Sequence, residues 1–259
     1  FSTKSDFLAN TWETKVENSV SSLESSFSKV LDDVIDSQEK LALDSLQQES
    51  TKALLGLGGE ADFASIVSMA DLTTASQPMV EEMKKSYEKG VSDNISEGYG
   101  EPVQEDLANA AVSQQVSTVN NFNSTTQKYI VNALSQSANF EGQDGDIDVL
   151  FKIMLAYSLI KGIFKSLRSD RRQMILDSGT LGSYNMGLYD SALNDPTIKK
   201  TWVTMADGKV RETHRILRGD NVSISEPFVV NTIPIRFPRD PLAPPSLTIN
   251  CRCFLRFSR

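Results

Sequence analysis

From Phe7 onward apolar residues return every three or four positions: Leu8, Trp12, Val16, Val20, Leu23, Phe27, Val30 and Val34. That spacing draws one stripe along an α-helix of about eight turns, with Ser, Glu, Asp and Lys on the other faces. A helix with a single apolar stripe must lay it on a partner helix, in this chain or on a neighbouring protein, and the first is favoured. Residues 54–61, with Gly56, Gly58 and Gly59, predict the stop, because glycine loses the most backbone entropy in a helix. Two more helices are expected over 77–89 and 104–134, parted by the polar stretch 92–102 with Gly98 and Gly100. After another break at 140–146, residues 147–167 are apolar on nearly every face. They predict a buried central helix whose Lys152, Lys161 and Lys165 reach out along its surface.

The pattern changes after Asp195-Pro196, where seven of the nine prolines fall. Trp202 and Thr204 alternate with Val203 and Met205, as on a strand, which Asp207-Gly208 would end. A short helix is expected over 210–217, its first amides capped by Asp207, with Arg211, His214, Arg215 and Arg218 along one side and Gly219 as its stop. A proline-punctuated loop, 234–245, leads to a half-buried final strand over 248–257, with Ile249, Cys251, Cys253, Leu255 and Phe257 on one face. The expected fold is mainly α: an elongated helical body, residues 1–195, followed by a small α+β domain, residues 196–259.

With 259 residues and 39% hydrophobic content the chain can bury one or two cores. Its net charge of −8 divides unevenly, about +6 from Thr197 onward and −14 before it. The basic end is either a solvated face or a surface for an anionic partner, nucleic acid or acidic protein. No run of eighteen uncharged apolar residues exists, so no bilayer span is expected. The chain begins with Phe1 and not Met, so residues are expected upstream. Two cysteines, both in the triplet Cys251-Arg252-Cys253, are no secreted disulfide framework and fit a reducing compartment.

Between Lys200 and Cys253 a set of residues falls in a particular order. It runs Lys200, Trp202, Thr204, Asp207, Val210-Arg211, His214, Leu217 and Gly219, then Glu226 and Phe228, Pro238 and Asp240-Pro241, and finally Asn250-Cys251-Arg252-Cys253. This constellation resembles the C-terminal domain of Mu protein F-like minor head proteins of phages. Residues 168–193 resemble the helix that enters that domain. The family often carries an acidic residue near the position of Gly179; here Asp177 stands two residues away as a substitute. The resemblance implies a minor head protein of few copies at the portal vertex, inside the capsid, acting in head assembly, DNA packaging or DNA ejection. It implies the portal oligomer as partner, with major capsid or scaffolding protein and packaged double-stranded DNA as further ones. The implied locations are the virion and, during assembly, the host cytoplasm. The rival readings are a nonspecific DNA-binding internal head protein and an ADP-ribosyltransferase-like effector domain.

The chemistry is sparse. One histidine limits acid–base options, no glycine-rich phosphate loop opens a helix and no nucleophile elbow occurs, so no enzyme is expected. An effector would need a nucleotide cleft with a positioned glutamate, for which Glu212 and Glu226 are candidates only by default. His214, Cys251 and Cys253 are the residue types of a zinc site. Three ligands are not four, however, and the usual paired spacing is missing, so the favoured expectation is no metal and no cofactor. On that view the cysteines are small apolar residues of the last strand, and a carboxylate or carbonyl satisfies His214. A Cys251–Cys253 disulfide is disfavoured, since residues two apart on a strand sit near the limit of bridging distance. Trp202 and Asp207 are read as a core anchor and a turn or cap. Arg215, Arg218, Arg236, Arg239 and Arg256, with Arg211, Arg252 and Arg259 nearby, are either phosphate contacts or internal ion pairs.

Overall fold

The computed structural model describes residues 4–54, 68–140, 146–204 and 210–259. The first stripe becomes α1 (Lys4–Leu54), a helix of 51 residues. It outruns the expected eight turns because the spacing continues past Val34 through Ile35, Ala42 and Leu46, all buried. The glycine stop expected at 54–61 falls, from residue 55 on, outside the described residues.

Helix α2 (Met69–Ser96) begins well before the expected start at 77. Ser68 caps it: its hydroxyl accepts the Asp71 N–H at 3.1 Å and donates to the Asp71 carboxylate at 2.7 Å. Pro78 lies inside this helix and removes one backbone bond, yet buried Leu72, Ser76, Met79 and Val80 on either side hold the segment helical. Then come α3 (Glu105–Ala138), α4 (Asp146–Ser166), a π-helical turn (Leu167–Arg171) and α5 (Arg172–Ala192).

The chain divides into two compact units, each made of several stretches of the chain. One comprises residues 30–79 and 117–172; the other comprises 1–29, 80–116 and 173–259. The small α+β region is therefore part of a larger body that includes α5 and stretches of α1, α2 and α3.

In the all-helical unit, Gln38, Ser76 and Asn123 form a buried polar layer. Gln38 donates to Ser76 Oγ at 2.7 Å and to Asn123 Oδ1 at 2.9 Å, and Ser76 donates to Asn123 at 2.7 Å. Arg172 grips Asp32 through two bonds of 2.8 and 2.7 Å, and Arg168 bridges Asp36 and Glu39 at 2.5 and 2.6 Å. Helix α4 departs from expectation. Ala156, Ile160 and Phe164 are buried, but Leu150, Phe151 and Tyr157 are about half exposed and Met154 is 70% exposed. Only one face meets the core, so the all-round apolarity of 147–167 reflects composition and not all-round burial. Among the described residues no helix is long and apolar enough to cross a membrane.

In the mixed unit, β1 (Lys199–Thr204) is the centre of an antiparallel sheet of order β2-β1-β5, with β2 (Asn221–Ser223) and β5 (Cys253–Ser258) at its edges. A separate antiparallel pair, β3 (Phe228–Val230) with β4 (Ile233–Ile235), forms just before the expected loop 234–245 and takes in its first two residues. The last strand starts at Cys253 instead of 248, because residues Pro245–Thr248 form a helical turn, α7, and Asn250 takes a left-handed φ of 55°. Helix α5 is buried almost throughout. It crosses α2 at glycines: a Cβ on Gly187 would lie 2.1 Å from the Tyr87 carbonyl oxygen, and one on Gly90 would lie 2.2 Å from that of Tyr184. The Trp12 indole of α1 donates to the Leu255 carbonyl of β5 at 3.0 Å, fixing that helix to the sheet edge.

Candidate functional site

The residues singled out in sequence meet behind the sheet of the mixed unit. Trp202, in the middle of β1, is fully buried and meets His214 and Phe228 edge-on, with ring centroids 5.2 Å apart in both pairs. His214 sits on α6 (Glu212–Arg215), a single turn and shorter than the expected 210–217. Its N-cap is Arg211, whose side chain makes no capping bond, and Asp207 lies outside the described residues. Gly219, at φ 88°, turns the chain back so that its N–H meets the Trp202 carbonyl at 3.0 Å and the Asp220 carbonyl accepts the Trp202 N–H at 3.2 Å. The arrangement locks α6 against β1.

From the opposite side Cys251 and Cys253 enter the same spot. Both are free and buried. Their sulfurs lie 3.4 and 3.7 Å from His214 Nδ1, and one donor atom from each of the three residues falls within 4.8 Å of the others. The expected carboxylate or carbonyl partner of the imidazole is missing: among the described residues Nε2 has none. A cavity of about 10 Å³ opens beside the cluster, lined by Val210, Arg211, His214, Asn250, Cys251, Arg252 and Cys253. The Cys253 thiol lowers the pKa of Cys251 by hydrogen bonding, and His214 and Arg239 add to this; the same bond raises Cys253.

Arg239 closes the site from outside. At φ 65° its side chain is 2% exposed, with Nε donating to the Cys251 carbonyl. Its terminal nitrogens donate to Ser178 Oγ at 3.1 Å and Asp177 Oδ2 at 3.0 Å. Burial lowers its pKa, against the opposing pull of Cys251 and Asp177. Asp177 thus serves as the buried counter-ion of Arg239. Gly179, near which the resemblance suggests an acid, has no room for a side chain: a Cβ there would sit 1.8 Å from the Phe27 ring.

Of three further supports, Asn185 and Asp190 escaped the sequence reading, and Lys200 was in the ordered set without any sign of its burial. Asn185 of α5 donates to the Pro238 and Cys253 carbonyls at 3.2 and 3.0 Å and accepts the Leu255 N–H at 3.2 Å, stitching α5 to β5. Lys200 is fully buried, donates to the Arg236 carbonyl at 2.8 Å and lies over the Tyr189 ring at 4.7 Å; desolvation lowers its pKa to about 8. Asp190, bonded to the Tyr87 hydroxyl at 3.1 Å, is raised by desolvation to about 6. The period-two pattern marks Lys200 as a strand residue, but nothing in it distinguishes a buried lysine from an exposed one.

Residues 155–256 match the family model described as Phage Mu protein F like protein. This segment of the chain is similar to Mu protein F-like proteins. No curated protein and no solved structure matches the chain. The Mu F-like segment takes in the latter part of α4, all of α5 and nearly all of the α+β region, so it begins upstream of the helix at 168–193 that the motif pattern reached. Of the residues that carry the resemblance in sequence, Trp202, His214, Cys251 and Cys253 are buried, while Arg211 and Arg252 are partly exposed and Asn250 is exposed.

The arginines grouped in sequence as phosphate contacts are dispersed in their roles. Arg239 is sealed from solvent. Arg236 clasps Asp240 with bonds of 2.8 and 2.7 Å and closes the turn before Pro241. Arg215 pairs with Glu212 at 2.9 Å, Arg218 is exposed and Arg256 half-buried. Glu212 and Glu226 are exposed. The 10 Å³ cavity admits about one water, whereas a separate cavity of about 330 Å³, lined by Glu24, Asp177, Arg252 and Phe254 among others, reaches the lower end of the about 300–1,000 Å³ of small-molecule pockets.

Proposed function

We propose that the chain is a minor head protein of a phage, seated at the portal vertex inside the capsid, where it acts in head assembly, DNA packaging or DNA ejection as a structural part. The observation that carries this reading is the Mu protein F-like match over residues 155–256, which supports a phage head-morphogenesis role. The geometry supports a structural role within that class: Trp202, His214, Cys251, Cys253 and Arg239 are buried against one another, and among the described residues the cavity that His214 and the two cysteines line holds only about 10 Å³.

The partner that fits best is the portal oligomer, with major capsid or scaffolding protein as additional contacts. Packaged DNA fits less well, since Arg239 and Arg236 are committed to Asp177 and Asp240. The test is affinity capture of the full-length chain from infected cells, followed by portal detection. Co-purification with the portal, together with stalled head maturation when the chain is deleted, is the expected outcome. Normal yields of infectious particles from the deletion would refute the reading.

A further inference from the structure

We infer that His214, Cys251 and Cys253 are a zinc site in which three protein ligands and one solvent molecule hold the ion. A tetrahedral zinc with Zn–S of ~2.3 Å and Zn–N of ~2.0 Å sets its sulfur and nitrogen donors ~3.5 Å apart. The two S–N separations here, 3.4 and 3.7 Å, bracket that edge length. The donors come from two separate pieces of chain, α6 and the turn into β5. The left-handed Asn250 and the Arg239 bond to the Cys251 carbonyl aim the second piece at the first.

Two further observations point to an ion. A buried imidazole ordinarily finds an oxygen partner, yet the ring of His214 faces only sulfur on one side and has no partner on the other among the described residues. The 10 Å³ cavity against the cluster has room for about one water, the fourth ligand that a three-residue site requires. Charge also balances. Binding displaces the two thiol protons to solvent, and two thiolates with Zn²⁺ make a neutral group, which a buried site tolerates far better than a net charge. The ion would join α6 to the start of β5 and so act as a staple for the α+β region.

The test is metal analysis of the full-length chain, expressed with added zinc and purified under reducing conditions, followed by cobalt(II) titration of the metal-stripped protein. One zinc per chain and a thiolate-to-cobalt charge-transfer band with tetrahedral d–d intensity are expected. Cys251→Ser and Cys253→Ser should reduce zinc to background. His214→Cys, which keeps a ligand in place, should retain zinc while moving the cobalt spectrum toward that of a three-sulfur site. Because the cobalt titration uses the unmutated chain, it reads the ligands even if a serine variant fails to fold. Background zinc combined with no thiolate–cobalt band would overturn the inference.

Discussion

A guanidinium shut away from water needs an acceptor for each of its faces, and Arg239 finds Asp177, Ser178 and the Cys251 carbonyl. Removing one partner of a buried pair strands the other charge, so Arg239→Met should lower unfolding free energy by about 3–5 kcal/mol, read as a urea midpoint. Adding Asp177→Leu should recover part of that loss; no recovery would show that the stranded carboxylate is not the cause. Lys200 makes a pH prediction. Its folded pKa of about 8 lies below the ordinary 10.5, so as pH climbs between those values the unfolded chain holds more protons and stability gains from this group. Lys200→Met should remove that gain, and parallel pH profiles of variant and parent would contradict the assignment. Neither role was legible beforehand. Charge and spacing show where an arginine lies in the chain, but its counter-ion, 62 positions upstream, is brought to it only by the packing of α5 on the turn at 237–240.

Elements were legible where one face alternates with another. The stripe from Trp12 to Val34 foretold α1, and the alternation at Trp202 and at Cys253, Leu255 and Phe257 foretold the two long strands, because each pattern matches a backbone period. The limits were physical. Helix α4 reads as buried because apolar content alone says nothing of how many neighbours arrive, and the early start of α2 depends on a Ser68 cap more than on its apolar face. The crossing of α2 and α5 depends on Gly187 lying against a backbone carbonyl, so Gly187→Ala should cost about 1–3 kcal/mol by forcing the helices apart. Asn185→Leu should destabilise as strongly, since it strands the Pro238 and Cys253 carbonyls and the Leu255 amide. Thermal denaturation checks both, and unchanged midpoints would show that α5 is not the element holding the sheet.

At the scale of the molecule, two arginines of the basic end, Arg236 and Arg239, face buried carboxylates and not solvent anions. With Arg236 and Arg239 taken up in ion pairs, duplex DNA binding should be weak, and the logarithm of its constant should fall with log salt no more steeply than about −2. A slope several times steeper would favour the DNA-binding reading. The order of residues between Lys200 and Cys253 announced the Mu protein F-like segment, whereas the division into units was hidden, since stretches from four separate helices and the sheet compose the mixed unit. The most direct measurement is an asymmetric reconstruction of the intact particle in which this chain is located. Density for α5 and the α+β region against the portal, on the inner side of the capsid, is the predicted result; finding the chain absent from the particle, or only on its outer surface, would contradict the account.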